Sequence, residues 1–292
     1  AVRGQAGAIP MYKYFGQGDN AKGYQMTMGL FCVLCVIFFV ITFLTTKERI
    51  QPAPGQKSSL REDLAGMLGS GPFIALFLLT IMVFSGLALR SGTMLYYFKY
   101  YVNNEDLFSL FNVFGLGSLI VGIVVSPRLS TRYGKKNLFI WGLSLAALFS
   151  AVFILLPPGA IVVAFAAEVL RQFAWGWTAP LLWAMMADVA DYVEWKTGRR
   201  ATAMVFAIMV LALKAGLGIG RAMASWLLSL YGYVPNVVQT AHAQFGIRLT
   251  ASVVTAIVFA VGVLCLFFYG IDKETNIRMS EELAERRKGY AS

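Results

Sequence analysis

Histidine, cysteine and charged residues are all scarce in this chain. Its 292 residues include one histidine, three cysteines and 14% charged residues, whereas 58% are hydrophobic. A soluble domain is about half apolar and about a quarter charged. The lone histidine, His242, leaves no Cys/His framework for zinc, so no metal or cofactor is expected. Cys32 and Cys35 have C-x-x-C spacing but lie in an apolar run, and we interpret them as inert thiols on a helix surface.

The charge that is present is predominantly positive, yet it does not indicate nucleic-acid binding. The net charge is +10, and the basic residues lie in short polar gaps between apolar segments. Loop charges of this kind orient membrane proteins and meet anionic lipid head groups. We therefore expect a lipid bilayer, and no nucleic acid, as a partner.

Seven apolar segments are long enough to cross a bilayer as helices, which takes about 20 residues. They are 24–46, 72–102, 107–126, 137–156, 160–187, 202–230 and 247–271. The sequence therefore predicts an all-α polytopic membrane protein with seven spans. Segment 72–102 is longer than a bilayer core, so it must tilt, project out or break, and Arg90-Ser91-Gly92 is the expected weak point.

The distribution of Lys and Arg predicts the orientation. These residues concentrate in 47–71, 127–136, 188–201 and 272–292, which all lie on one side of the predicted spans. That side is expected to be cytoplasmic, so the N-terminus of this chain lies outside and the C-terminus inside. Within 47–71, Ser59 and Glu62 have the spacing of a capping box and predict a short helix. The segment is either a hinge between two bundles or an ordinary loop.

Five charged residues fall well within the predicted spans, away from their ends. They are Arg90, Glu168, Arg171, Lys214 and Arg221. A charge at the bilayer centre costs about 2.5–3.5 kcal/mol on insertion scales, so each must face protein, water or a partner.

Glu168 and Arg171 can pair on one helix face because they are three residues apart. Gln172 and Trp175 continue the same stripe. A sugar offers apolar C–H faces and many hydroxyls, so aromatic and hydrogen-bonding groups together suit a sugar site. The alternative is a structural ion pair that holds the bundle together.

Lys214 and Arg221 are seven residues apart and also share a helix face. Gly216, Gly218 and Gly220 lie between them and allow close helix approach. A lysine in the middle of a membrane segment favours a functional role, and Arg221 shares that interpretation.

A second charged cluster is predicted at the cytoplasmic surface. Asp188 and Asp191 follow the fifth span, on the same membrane side as Arg128, Arg132 and Lys135. We hypothesise a gate of salt bridges that breaks when the protein opens inward. The alternative is a solvated charged surface.

Several strings in the chain resemble one family of transporters. The loop 126–137, SPRLSTRYGKKN, resembles the basic inter-helix loop of the major facilitator superfamily. The remaining strings are KYFG at 13–16, KGYQ at 22–25, TTKER at 45–49, LYYFKY at 95–100 and MADVADYVEWKTGRR at 186–200. Together they resemble the glycoside–pentoside–hexuronide cation symporters, relatives of the melibiose permease.

The resemblance implies a transporter of 12 helices in two bundles, of which this chain would hold helices 6–12. Residues 1–46 would then close the N-terminal bundle, 47–71 form the cytoplasmic central loop, 72–271 the C-terminal six-helix bundle and 272–292 a cytoplasmic tail. Lys214 matches the family's eleventh-helix lysine near the sugar and cation sites, and Tyr97 joins the substrate candidates. The chain would be truncated, with the coupling Na⁺ or H⁺ bound in the missing N-terminal bundle.

The expected function is therefore cation-coupled symport of a sugar or glycoside across the bacterial inner membrane by alternating access. The family's sugar-contacting tryptophan of the tenth helix corresponds to Ala179, and the polar residue one turn before the lysine to Val210. A transporter-fold sensor, a carrier of a non-sugar solute and a seven-helix receptor remain alternatives. An enzyme is not expected, because no nucleophile stands with a base or a metal cluster.

Overall fold

The computed structural model describes residues 14–15, 19–46 and 59–288. Over these residues the regular structure is helical and contains no strand, which confirms the all-α prediction. The chain divides into two compact units, Ala1–Gln51 and Pro52–Ser292, called unit 1 and unit 2 below. The predicted domain limits stay predictions. Of the proposed hinge segment 47–71, residues 47–58 lie outside the described residues.

Unit 1 contains one long apolar helix, α1 (Asn20–Thr45). Asp19 caps it, because Oδ1 accepts hydrogen bonds from the amides of Ala21 and Lys22 at 2.9 and 3.2 Å. Such a cap satisfies amides that have no partner within the helix. The side chains of Phe39 and Phe43 are exposed within this unit. A helix that is apolar around its whole circumference is suited to a bilayer.

Unit 2 is a bundle of helices that run alternately in opposite directions. They are α2 (Leu60–Leu68), α3 (Gly71–Tyr96), a first π-helical segment (Tyr97–Val102), α4 (Asp106–Tyr133), α5 (Lys135–Val152), α6 (Ile161–Thr197), α7 (Thr202–Leu230), α8 (Ala241–Leu249), a second π-helical segment (Thr250–Val254), α9 (Thr255–Phe267) and α10 (Lys273–Lys288). The end that carries α2 and α10 is called the basic end, and the end that carries residues 97–105 and 231–240 is called the tyrosine end.

Five described helices are long and apolar enough to cross a membrane. Four of them belong to unit 2 and one to unit 1, so the predicted count of seven stays a prediction. The two remaining predicted spans form helices in the same bundle. One of them, α6, carries Glu168 and Arg171 in its interior, and the other, α5, begins with two lysines. These charges lower the hydropathy of both helices.

Of the three alternatives for segment 72–102, a break at Arg90-Ser91-Gly92 is not found. The α-helix continues through these residues to Tyr96, where it changes to the π-helical form. The helix is unbroken because Arg90 points into the bundle and is fully bonded there, whereas the wider turn falls where tyrosines pack against one another. π-helical turns are uncommon and are often found at functional sites.

Glycines bring the helices of unit 2 into backbone contact. Gly176 of α6 faces Gly122 of α4, and a Cβ atom at Gly176 would lie 2.6 Å from the carbonyl oxygen of Leu119. Gly216 of α7 faces α3, where a Cβ would lie 2.7 Å from the carbonyl oxygen of Ile81. Small residues at these positions allow the close helix packing typical of membrane bundles. The bundle therefore pairs α4 with α6 and α3 with α7.

The short helix predicted from Ser59 and Glu62 is confirmed as α2. Ser59 is its N-cap, with Oγ accepting from the amide of Glu62 at 3.5 Å. Arg199, which follows α6, bonds the carboxylates of Glu62 and Asp63 at 2.8 Å each. The hydrogen bond to Asp63 raises the pKa of Arg199. These contacts hold α2 against the basic end of unit 2.

Candidate functional site

A polar strip runs along one exposed face of α7. Its members are Lys214, Gly218, Arg221, Ser225 and Ser229, spaced by three or four residues and all exposed within unit 2. Residues three and four apart lie above one another on a helix. The large apolar side chains Ile219 and Trp226 are also exposed, on a face about 100° around the same helix. The helix therefore presents one surface suited to lipid and another suited to water or a polar partner.

The depth of the strip indicates that lipid does not cover it. At about 1.5 Å per residue, α7 is about 44 Å long, close to the full thickness of a bilayer with its head groups. Lys214 then lies near the middle and Arg221 about 14 Å from the helix end. Neither side chain makes an ion pair or a hydrogen bond within the described part of the chain. Two cations at this depth require water or a partner.

A cleft between α3 and α7 opens beside the strip at the tyrosine end. It has a volume of about 470 Å³ and is lined by Gly92, Tyr96, Arg221, Ala224, Ser225, Leu228, Ser229, Tyr233 and Pro235. Gly92 keeps the wall thin on the α3 side. The cleft combines one guanidinium, two serine hydroxyls and two aromatic rings, which are groups that bind a hydroxylated ring.

Three tyrosines form the mouth of this cleft. The rings of Tyr96 and Tyr233 have centroids 5.0 Å apart, and Tyr100 packs against both of them at 6.2 and 5.7 Å. Burial raises the pKa of Tyr233, and hydrogen bonding with Tyr100 raises it further. The phenol therefore stays neutral at physiological pH and places no negative charge at the mouth. Lys99 lies beside it, with Nζ 3.4 Å from Asn236 Oδ1 and 5.4 Å from the Tyr100 ring centroid.

The other charged residues of the spans form a buried triad in the bundle interior. Glu168 bonds Arg171 through two contacts of 2.6 and 2.9 Å, and it bonds Arg90 of α3 at 2.7 Å. Arg90 also donates to the carbonyl oxygen of Ala251 at 3.0 Å, in the second π-helical segment. Each member of the triad is only 4% exposed. The triad therefore connects α3, α6 and the helix that includes Ala251.

The structure separates the predicted substrate residues into two groups. Lys214 and Arg221 lie on the exposed strip, whereas Glu168 and Arg171 lie inside unit 2 and bond to each other. Tyr97 is 1% exposed and packs in an aromatic cluster of the core. The two other candidates also lie away from the strip, because Trp175 packs in the core and Gln172 lies half-buried against Gly115. The stripe of α6 faces α3 and α4 within unit 2, so these candidates do not share the exposed surface of Lys214 and Arg221. The role of each of them at a substrate site stays a prediction.

At the basic end, one of the predicted gate pairs is present. Lys135 Nζ lies 2.7 Å from both carboxylate oxygens of Asp188. Asp191 pairs instead with Arg287 of α10 at 3.2 Å, and Arg287 also bonds Glu194 at 2.8 Å. These bonds tie α5 and α10 to the end of α6. All the partners belong to unit 2, so the role of these residues as a gate stays a prediction.

Arg128 and Arg132 do not join these ion pairs within the described residues. Both belong to α4, which continues past Pro127 to Tyr133 instead of ending at Ser126. Arg132 lies over the ring of Tyr133 at 5.3 Å. The helix therefore extends into the predicted loop.

Sequence reasoning missed three features of these sites. Arg90 was recognised as an intramembrane charge, but its partner Glu168 is 78 residues away, so no local spacing could reveal the pair. Arg287 was counted only as a tail charge. The tyrosine mouth joins Tyr96 to Tyr233, and the only signal for it in the sequence is the density of tyrosine near 96–101.

These features define an integral membrane protein that crosses the bilayer several times as an α-helical bundle with a polar strip. The chain belongs to the MFS/sugar transport protein family, whose model matches residues 2–273. The resemblance seen in the sequence is confirmed by this match and by relatives that are described as sugar or glycoside transporters. Members of this family are transporters rather than enzymes.

Three relatives illustrate the match. A candidate glycoside/cation symporter of Escherichia coli K12, YagG, is 30% identical over 96% of this chain and 61% of its own length. The isoprimeverose transporter of Lactiplantibacillus pentosus is 30% identical over 91% of this chain and 56% of its own length. A candidate 2,3-dihydroxypropane-1-sulfonate exporter of E. coli K12 is 27% identical over 97% of this chain and 62% of its own length. The chain thus spans about three-fifths of the length of these relatives.

Proposed function

We propose that the protein is a secondary active transporter that carries a sugar or glycoside together with Na⁺ or H⁺. The observation that carries this proposal is the exposed polar strip of α7, with Lys214 near the middle of the membrane. An unpaired lysine at that depth is costly unless it faces a water-filled path or a polar partner. Transporters of this superfamily bind solute near the midplane and move their bundles around it.

The names of two relatives support the choice of solute and coupling. One is described as a glycoside/cation symporter and another as an isoprimeverose transporter. In our proposal the basic end of unit 2 faces the cytoplasm and the tyrosine end faces outward. The strip then leads from the outer mouth to Lys214, and Lys135–Asp188 lies at the inner surface.

The test is uptake by cells that express the protein. Radiolabelled glycosides, pentosides and hexuronides are supplied with and without a Na⁺ gradient and, separately, a proton gradient. The variants are Lys214→Ala and a matched control, Ile219→Ala, which shortens an exposed apolar side chain of the same helix. We expect gradient-stimulated uptake that Lys214→Ala abolishes and Ile219→Ala preserves. Absence of uptake of every sugar under both gradients would refute the proposal.

A second candidate is transport of a hydroxylated solute that is not a sugar. One observation favours it, namely the relative described as a 2,3-dihydroxypropane-1-sulfonate exporter. Adding that sulfonate to the uptake panel separates the two candidates, because saturable uptake of the sulfonate without any sugar uptake selects the second.

A further inference from the structure

The buried triad of α3 and α6 carries more positive than negative charge. Arg90 and Arg171 share one carboxylate, that of Glu168, whose oxygens lie 2.7 and 2.6 Å from their nearest nitrogens. Arginine keeps its proton at physiological pH, so the cluster cannot become neutral by losing one. The triad therefore holds one positive charge in excess, although each of its three side chains is only 4% exposed.

No other carboxylate of the described residues lies near enough to balance this charge. Helices α3, α5, α7, α8 and α9 contain no Asp or Glu. At the start of α4, Glu105 and Asp106 are exposed. Asp106 lies about 14 Å along the helix from Gly115, the residue of α4 that faces Glu168. The next acid of α6 after Glu168 is Asp188, about 30 Å further along that helix. The excess charge thus lies in an apolar interior, where an unpaired ion is costly.

One nitrogen of Arg171 has no hydrogen-bond partner in the part of the chain that the structure describes. Its Nε and Nη2 donate to Glu168 at 2.9 and 2.6 Å, whereas Nη1 is buried and unpaired. A planar guanidinium bound in this way turns the two N–H groups of Nη1 away from the carboxylate. Buried N–H groups nearly always have an acceptor, because leaving one unpaired costs free energy. The excess charge and the unpaired donor therefore coincide at one side chain.

The surroundings of the triad suit a small ion rather than an organic acid. A Cβ at Gly115 would lie 3.4 Å from Oε1 of Glu168 and 3.2 Å from Cγ of Gln172, so α4 packs closely there. Phe153 covers Arg90, whose guanidinium carbon is 4.6 Å from the ring centroid. A monatomic anion accepts both N–H groups of a guanidinium nitrogen and cancels one charge, whereas a water molecule accepts hydrogen bonds and cancels none.

We propose that unit 2 binds one chloride ion in its interior, held by Nη1 of Arg171 beside Glu168 and Arg90. This site lies away from the strip of α7 and does not depend on the proposed transport function. With chloride bound, the cluster contains two cations and two anions, so its charges balance in an apolar surrounding. Chloride then stabilises the folded protein in a concentration-dependent way, because it binds the native state and not the unfolded chain.

The test measures chloride binding and thermal stability of the purified protein in neutral detergent. Chloride replaces gluconate at constant Na⁺ concentration and constant ionic strength, so cation effects and general screening stay the same. Equilibrium dialysis with radiolabelled chloride gives the number of bound ions. The variants are Arg171→Gln, which removes the excess charge, and the control Arg278→Gln, which removes an exposed arginine that also pairs with a glutamate.

We expect the wild type and Arg278→Gln to bind a single chloride with saturation, and Arg171→Gln to bind none. When chloride is at about ten times its Kd, the unfolding midpoint of the wild type should rise by about 3–6 °C relative to gluconate, and that of Arg171→Gln should not change. Bromide should act as chloride does, because the two ions have the same charge and similar size.

Three results would overturn the inference. Absence of bound chloride, with equal midpoints in chloride and gluconate, would assign water to Nη1 of Arg171. Chloride binding that persists unchanged in Arg171→Gln would place the ion elsewhere. If Arg171→Gln does not fold, the anomalous scattering of bromide in crystals of the wild type decides, and bromide beyond hydrogen-bonding distance of Arg171 Nη1 would refute the site. Sugar uptake, measured separately, tests the transport proposal alone.

Discussion

Replacing Glu168 by glutamine should destabilise unit 2 strongly. Glutamine keeps the shape of the side chain but removes its charge and turns an NH₂ group toward arginine donors. Three hydrogen bonds from Arg90 and Arg171 converge on the carboxylate at 2.6–2.9 Å, and all three side chains are buried. Removing one partner of a buried ion pair costs about 3–5 kcal/mol, because the remaining charges stay buried and unpaired. Two arginines depend on this one carboxylate, so we expect the upper part of that range.

The measurement is equilibrium unfolding of the purified protein in mixed detergent micelles, with Glu105→Gln as the matched control. Glu105 is exposed and lies 4.0 Å from Lys99, so its loss should change the free energy of unfolding by less than about 1 kcal/mol. If Glu168→Gln is no more costly than Glu105→Gln, the triad does not hold the bundle together and the reasoning is refuted.

A triple variant separates a structural role of the triad from a transport role. Arg90→Met, Glu168→Leu and Arg171→Met together remove every charge of the cluster. Replacing a whole buried ion network by apolar residues is often neutral or stabilising, so this variant should be more stable than Glu168→Gln. It leaves the carbonyl oxygen of Ala251 without its arginine donor, at a cost of about 1–3 kcal/mol. We expect uptake to survive, and a stable triple variant without uptake would instead place the triad in the transport site.

Two further perturbations address packing and pH. Gly176→Ala should disrupt the contact of α6 with α4, because the added Cβ would lie 2.6 Å from a backbone oxygen. Gly117→Ala is the control and should leave the packing unchanged, because a Cβ there has nothing within 4 Å. Thermal unfolding in detergent compares the two variants. Glu282 accepts a hydrogen bond from Trp195 Nε1 at 2.6 Å, and this bond lowers the pKa of the Glu282 carboxyl. The ionised carboxylate therefore stabilises the folded state above the ordinary glutamate pKa of about 4.3. This stabilisation is lost as pH falls through the lower pKa of the folded state. The stability difference between wild type and Glu282→Gln should therefore be constant from pH 7 to about 5 and decrease as pH falls below the ordinary glutamate value. A difference that stays constant throughout acid titration would contradict this.

The helices themselves were predictable because membrane segments must satisfy their backbone hydrogen bonds internally. Apolar run length therefore located the helices, but it misplaced their ends. Helix α6 continues to Thr197, past the predicted limit at residue 187, because Val189, Ala190 and Val193 are buried in the bundle beyond the apolar run. The π-helical segments had no signal in the sequence, since they depend on contacts between distant residues such as Arg90 and Ala251.

The candidate site was predictable only where its residues share one helix. Lys214 and Arg221 are seven residues apart on α7, and this spacing correctly predicted that they share one helix face. The cleft is formed by α7 together with α3 and the segment after α7. Its lining residues become neighbours only because Gly216 allows α7 to approach α3 closely. Local periodicity carries no information on such pairs, which explains why the tyrosine mouth was missed.

Insertion cost alone could not distinguish the two kinds of intramembrane charge in this chain, because it applies equally to Glu168 and Lys214. Their partners distinguish them. Glu168 is surrounded by arginines from two helices and contributes to the free energy of folding, whereas Lys214 has no partner within the described chain and contributes nothing to the packing of unit 2. A charge that lies in a membrane helix without stabilising its own bundle requires water or a partner in front of it. The unpaired cations of α7 are therefore better evidence for a transport path than the tightly bonded triad.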